Sequence, residues 1–188
     1  SPRNRRDLRR AVDLLEQAGW TVQDGVLRNA EGAAFQIEAV LRQGDKRMES
    51  VLQIYTQSLE RLGISLTIRS IDNAQFTERE AATDFDIMPF RRDLSLSPGT
   101  EQRLYWGSDG ADRDGTRNLM GVQSPALDAM IDALLTAESP ADFTAAARAL
   151  DRVLMAGRFV IPIWTTLTDR VAHAGNLKFP ENTPIYGD

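Results

Sequence analysis

At 188 residues, with 42% hydrophobic and 26% charged side chains, the chain has the make-up of an ordinary globular protein. That length fits one domain, or a large piece of a two-lobed protein. A net charge of −5 and a pI near 5.0 argue against a nucleic-acid partner, which would call for a basic face, and the lack of cysteine excludes a disulfide scaffold, a thiolate metal site and a cysteine nucleophile.

The first expected element is a helix opened by a loose Asn4–Asp7 capping pair. Leu8, Ala11, Val12, Leu15 and Ala18 share one face, and Gly19 supplies the stop. Residues 25–42 read as a hairpin: Gly25 to Arg28, a turn at Asn29 to Gly32, then Phe35, Ile37, Ala39 and Leu41 alternating along a second strand. Arg42 to Asp45 leads into a helix carrying Met48, Val51, Leu52, Tyr55, Leu59 and Leu62, ended by Gly63. Ile64, Leu66 and Ile68 then alternate with polar residues, so a strand–helix–strand crossover between parallel strands is expected. Asp72 caps a short helix through Ala82, and a buried strand follows at Phe85 to Phe90 with Pro89 near its end. This order makes the fold class α/β.

Past a Gly/Asp-rich loop at residues 107–117, Ser124-Pro125 and Ser139-Pro140 each combine a capping hydroxyl with a first-turn proline. They open two helices, with stripes Leu127, Met130, Ile131, Leu134, Leu135 and Phe143, Ala146, Ala147, Leu150, Val153, Leu154. Residues 159–165 and 169–173 are expected as strands returning to the sheet. No linker interrupts the pattern, so residues 1–188 read as a single domain. No window approaches the ~18 apolar residues of a membrane span. The start without methionine and the stop at Tyr186-Gly187-Asp188 read as cuts in a longer protein.

In open α/β sheets, ligands lie beyond the carboxyl ends of parallel strands. Three loops qualify: Arg42 to Asp45, Ser70 to Asn73, and Arg91 to Pro98. The third is richest in chemistry. Arg91 and Arg92 suit a carboxylate, Asp93 an ammonium group, and Ser95 and Ser97 offer hydroxyls, while Tyr105 or Trp106 can stack on an apolar group. Asp84 and Asp86 lie two apart on one expected strand, whereas glycosidase carboxylates face each other across a cleft, so a capping or turn role is expected for Asp84 and a solvated or paired one for Asp86. His173 lacks a neighbouring Ser, Cys or second His and reads as structural. The Gly107–Gly115 loop matches neither an EF-hand nor a phosphate loop and reads as a solvated turn. No metal, cofactor or catalytic residue is expected.

Several segments, taken together in order, resemble a known family. They are Leu14-Leu15-Glu16-Gln17-Ala18-Gly19-Trp20, the Leu62-Gly63-Ile64 hinge, and Asp84-Phe85-Asp86-Ile87-Met88 with its Leu96-Ser97-Pro98-Gly99-Thr100-Glu101-Gln102 loop. Tyr105-Trp106-Gly107-Ser108, then Asn118 to Val122 with Ser124-Pro125-Ala126-Leu127-Asp128, and Ile161-Pro162-Ile163-Trp164 continue it. The run is similar to the C-terminal lobe of extracellular solute-binding proteins of the oligopeptide/dipeptide/nickel family, the receptors of ABC importers. The resemblance implies a periplasmic-binding-protein-like lobe (type II, cluster C) with a mixed sheet and flanking helices. It also implies a missing N-terminal lobe, periplasmic location, a monomer that binds an oligopeptide or peptide-like solute by lobe closure without catalysis, and delivery to a membrane permease. Arg91, Arg92, Asp93, Leu94, Ser95, Trp106 and Asn118 are the ligand-binding residues it points to. One departure stands out. Arg92 falls where oligopeptide receptors carry a tryptophan, and Ser95 where they carry the aspartate that holds the peptide's amino terminus. That opens the reading to anionic or modified peptides. The alternatives are a ligand-sensing domain of a bacterial transcription regulator and a hydrolase built on Asp84 and Asp86.

Overall fold

The computed structural model describes residues 2–92, 97–165 and 172–178. They group into two compact units that divide between Arg91 and Arg92.

In the first unit, α1 (Pro2–Gln17) begins ahead of the expected capping pair. Asn4 lies inside the helix, and its Oδ1 accepts from Arg61 Nη1 at 3.2 Å instead of capping. The stop is as expected. Gly19 takes φ +85°, and Trp20 N donates back to Leu15 O at 2.9 Å, the left-handed ending that glycine makes cheap. Leu8, Ala11, Val12 and Leu15 lie half-buried on the unit's core.

The expected hairpin is placed differently. β1 (Thr21–Gln23) pairs antiparallel with β2 (Val26–Arg28) around Asp24-Gly25. Both turn residues have positive φ (+49° and +79°), the demand of a two-residue turn whose twist matches the strands. The Asn29–Gly32 turn also forms, with an Arg28–Ala34 bridge beyond it, but it carries no long second strand. Instead β3 (Gln36–Arg42) pairs parallel with β4 (Ser65–Ile71), in register from Gln36 with Ser65 to Arg42 with Ile71. The connection is α2 (Lys46–Glu60), capped by Asp45 Oδ1 on Met48 N at 3.0 Å. The strand–helix–strand expectation therefore holds. β3 does not alternate as expected: Ala39, Val40 and Leu41 are all buried, as befits a parallel strand covered on both faces.

Gly63 closes α2 in two ways. Its φ of +76° favours glycine, and a Cβ there would meet Leu27 N at 2.6 Å, where Leu27 N donates to Gly63 O. α3 (Asn73–Ala81) follows, capped as expected by Asp72, whose Oδ1 accepts from Ala74 N and Gln75 N. The strand expected at Phe85 to Phe90 shrinks to a single parallel bridge, Ile87 to Ala39. Ile87 N donates to Glu38 O and Val40 N to Ile87 O, so the next donor in the ladder is residue 89. That residue is Pro89, which has no N–H, and by Phe90 the chain is exposed.

The second unit is helical. α4 (Glu101–Trp106) was not expected from periodicity, being a single turn and a half. A 3₁₀ turn at Ser108–Gly110 leads toward α5 (Pro125–Leu135) and α6 (Pro140–Gly157). Both helices start on their predicted hydroxyls: Leu127 N donates to Ser124 Oγ, and Asp142 N to Ser139 Oγ at 3.1 Å. Val122, Leu127, Ile131 and Leu150 form the core, with Trp106, Met130, Leu135, Val153 and Phe159 packed on it. The strand expected at residues 159–165 does not form. Pro162 interrupts it, Val160 and Ile161 are more than half exposed, and the unit offers no strand among its described residues to pair with. Of residues 169–173, the first three lie outside the described residues and the last two are not in a strand. Among the described residues, no helix is long and apolar enough to cross a membrane.

Candidate functional site

In the first unit, the carboxyl ends of β3 and β4 stand side by side at Arg42 and Ile71. The acids of the two loops that follow, Asp45 and Asp72, are engaged as helix caps. The cation there is held in place: the Arg42 guanidinium lies 4.0 Å over the Phe76 ring, with Nη1 on Asn73 Oδ1 and Nη2 on Glu80 Oε2 at 3.5 Å.

The segment that leads to Arg91 is fixed by a charged network. Glu38 receives Arg69 Nε at 2.6 Å and Arg79 Nη1 at 2.7 Å, and these hydrogen bonds, Arg69's first, hold its carboxyl below the usual carboxylate range. Arg79 Nε also donates to Asp84 through both the carbonyl and the side chain. Asp86 Oδ2 accepts from Glu38 N at 2.8 Å. Asp84, expected to cap or turn, instead pairs with Arg79, and Asp86, expected to be solvated or paired, holds the Glu38 main chain. Arg91 ends this unit with its side chain exposed.

In the second unit, Arg92 and Trp106 come together. The half-buried Arg92 guanidinium lies 3.7 Å over the Tyr105 ring and 5.3 Å from that of Trp106. A delocalised cation over aromatic faces is a favourable pairing worth about 0.5–2 kcal/mol. Burial lowers its pKa, but arginine starts so high that the group stays cationic. Trp106 also packs toward Phe159, 6.5 Å between centroids, so one aromatic serves both the core and the cation. Just before α4, Gly99 N donates to Glu101 Oε1 at 2.8 Å, which lowers the Glu101 carboxyl below its usual range.

Asn118, expected as a ligand contact, is engaged by the main chain around it. It is fully buried, and its Nδ2 donates to Gly107 O at 3.0 Å and Val122 O at 2.9 Å while Oδ1 accepts from Val122 N at 3.0 Å. In this unit its amide staples the loop to itself. The loop is also tied at Ser108, whose N and Oγ both donate to the Asp128 carboxylate, at 3.0 and 2.6 Å. The expected solvated turn at Gly107–Gly115 is thus anchored at its start. Tyr105, Ser108 and Asp128 carry more of this region than the sequence suggested. The signal for Asp128 lay in the Ser124-Pro125-Ala126-Leu127-Asp128 run, whose spacing puts the carboxylate one turn into α5. Asp93, Leu94 and Ser95 lie outside the described residues. His173 is exposed, with Nδ1 3.0 Å from Ala174 O. No cluster of acids and histidines suited to a metal occurs among the described residues.

The mixed α/β fold is that of the type II periplasmic binding proteins. It superimposes with a TM-score of 0.71 on the oligopeptide-binding protein AppA of Bacillus subtilis, solved with a nonapeptide, over 80% of this chain and 30% of that one. At 19% identity, that likeness speaks for the fold alone. Residues 1–114 match the model of bacterial extracellular solute-binding proteins, family 5, middle region, and the chain belongs to that family. Two Agrobacterium fabrum relatives resemble nearly all of it. One, named probable peptide-binding protein YejA, is 39% identical over 99% of this chain, and the other, named peptidoglycan-binding protein YepA, is 37% identical over 98%. In each case the chain spans about 30% of the relative's length.

Proposed function

We propose that this chain is most of the C-terminal lobe of an ABC-importer receptor that takes peptides or peptide-derived solutes by closing two lobes around them. The ligand is held and released unchanged; no residue acts as nucleophile or acid. The complete receptor is a monomer in the periplasm, hands its solute to a membrane permease, and uses no cofactor. The observation that carries the reading is the family 5 match over residues 1–114, which takes in both arms of the parallel sheet and the Arg91–Trp106 segment. Within that segment, Arg91 and Arg92 favour a solute that presents a carboxylate. The relative named as binding peptidoglycan favours, as a second reading, a peptide carrying wall sugar, whose amino end is blocked. The transcription-regulator alternative has nothing in its favour among the relatives.

Titration calorimetry on the complete exported protein tests this. Synthetic tri- to pentapeptides, with free and with acetylated amino ends, are expected to bind, and Arg92→Ala to weaken binding without loss of fold. Failure of every peptide to bind overturns the reading. Preference for acetylated ends favours blocked peptides.

A further inference from the structure

We infer that Asp128 is a positioning residue for the ligand-binding end of α4, and so a determinant of solute affinity that touches no solute; the inference rests on the receptor reading above. A six-residue helix cannot hold its own end, because helix formation repays its nucleation cost only over a longer run. Yet Tyr105 and Trp106, the surfaces against which Arg92 lies, are its last two residues. Two residues beyond Trp106, Ser108 gives both its polar hydrogens to Asp128. The same hydroxyl accepts from Ser124 N at 3.0 Å, the residue that caps α5. A half-buried carboxylate near the amino end of α5 thereby fixes where α4 stops. Charge-assisted bonds of this kind are about twice as strong as neutral ones. A second polar link between the two helices, Arg103 to Asp132, is more than half exposed on both sides and is screened by water.

The test uses the complete receptor with the tri- to pentapeptide library as probe. Asp128→Ala is expected to weaken binding about tenfold, the scale of one charge-assisted hydrogen bond, and to speed amide exchange at Ser108 and Ser124. Asp128→Asn keeps one acceptor and is expected to restore part of the affinity, while Asp132→Ala leaves it unchanged. Because Asp128 acts through the platform, Arg92→Ala with Asp128→Ala is expected to bind no worse than Arg92→Ala alone. Additive losses in the double variant overturn the inference, as does full affinity in Asp128→Ala when Arg92→Ala is impaired. Neither result touches the receptor reading, which fails separately if the unaltered receptor binds no peptide, and the inference then falls with it.

Discussion

The two units of this chain hold their shape by different means. The first is built from backbone pairing: β3 and β4 run in register over seven residues, α2 bridges them, and side chains mainly refine the result. The second has no strand among its described residues, and its long loop between α4 and α5 is held by side chains reaching into the main chain. Asn118 and Asp128 do there what a ladder does in the sheet. A ladder tolerates the loss of one side chain, since its bonds are distributed. A loop tied by a few side chains tolerates it less, and such loops are where a fold can change its ligand chemistry without changing its frame.

That contrast can be broken most severely at Asn118. Asn118→Ala leaves Gly107 O, Val122 O and Val122 N buried without their partners, and is expected to cost about 3–5 kcal/mol at 1–3 kcal/mol per unsatisfied group, allowing for relaxation. Urea denaturation of the complete protein checks it, with exchange protection lost first around residues 107–122. The comparable point in the sheet unit is Gly63, where backbone geometry rather than a side chain is at stake. Gly63→Ala combines a positive φ with a 2.6 Å approach to Leu27 N, and about 2–3 kcal/mol is expected in the same assay. A loss at Gly63 that exceeded the one at Asn118 would reverse the contrast.

Smaller effects sharpen it through pH. The folded pKa values of Glu38 and Glu101 both lie below normal, held by Arg69 and Arg79 in one unit and by Gly99 N–H in the other. A depressed carboxyl stabilises the fold fully above its unfolded pKa, about 4.3, and that contribution disappears as pH falls through the folded value. Stability is therefore expected to fall on acidification below about pH 4.3, with Glu38→Gln and Glu101→Gln each flattening that limb. Denaturation midpoints measured from neutral pH down to pH ~3 read it out, and an unchanged slope in both variants contradicts it. The smallest effect is Ser139→Ala, which removes the α6 cap for about 1 kcal/mol and leaves ligand binding intact.

Much of the frame was legible in the sequence because its signals are local. Gly19 and Gly63 stop helices through their own dihedral angles, and Asp72, Ser124 and Ser139 cap helices two or three residues away. The alternation of Leu66 and Ile68 shows in the burial of β4. What the sequence hid depends on distant partners or on one missing atom. The Phe85–Phe90 strand looks complete until the ladder reaches Pro89, and β3 reads as half a hairpin until β4 claims it. The Asp24-Gly25 turn was a local signal that the reading passed over. In the candidate site, the pairing of Arg92 with Tyr105 and Trp106 was not anticipated, since both aromatics were expected to face an apolar group of the solute. Asn118 and Asp128 reach across 11 and 20 residues, beyond any periodicity, so their ties to this loop are not legible in the sequence.

The central claim is that this chain belongs to a receptor for peptides or peptide-derived solutes, and mass spectrometry of small molecules released by denaturing the complete, natively exported protein tests it most directly. The account predicts co-purified peptides, free or joined to wall sugar, and carrying at least one carboxylate. A metal chelate or an oligosaccharide without peptide, recovered at one molecule per receptor, would contradict it while leaving the fold untouched.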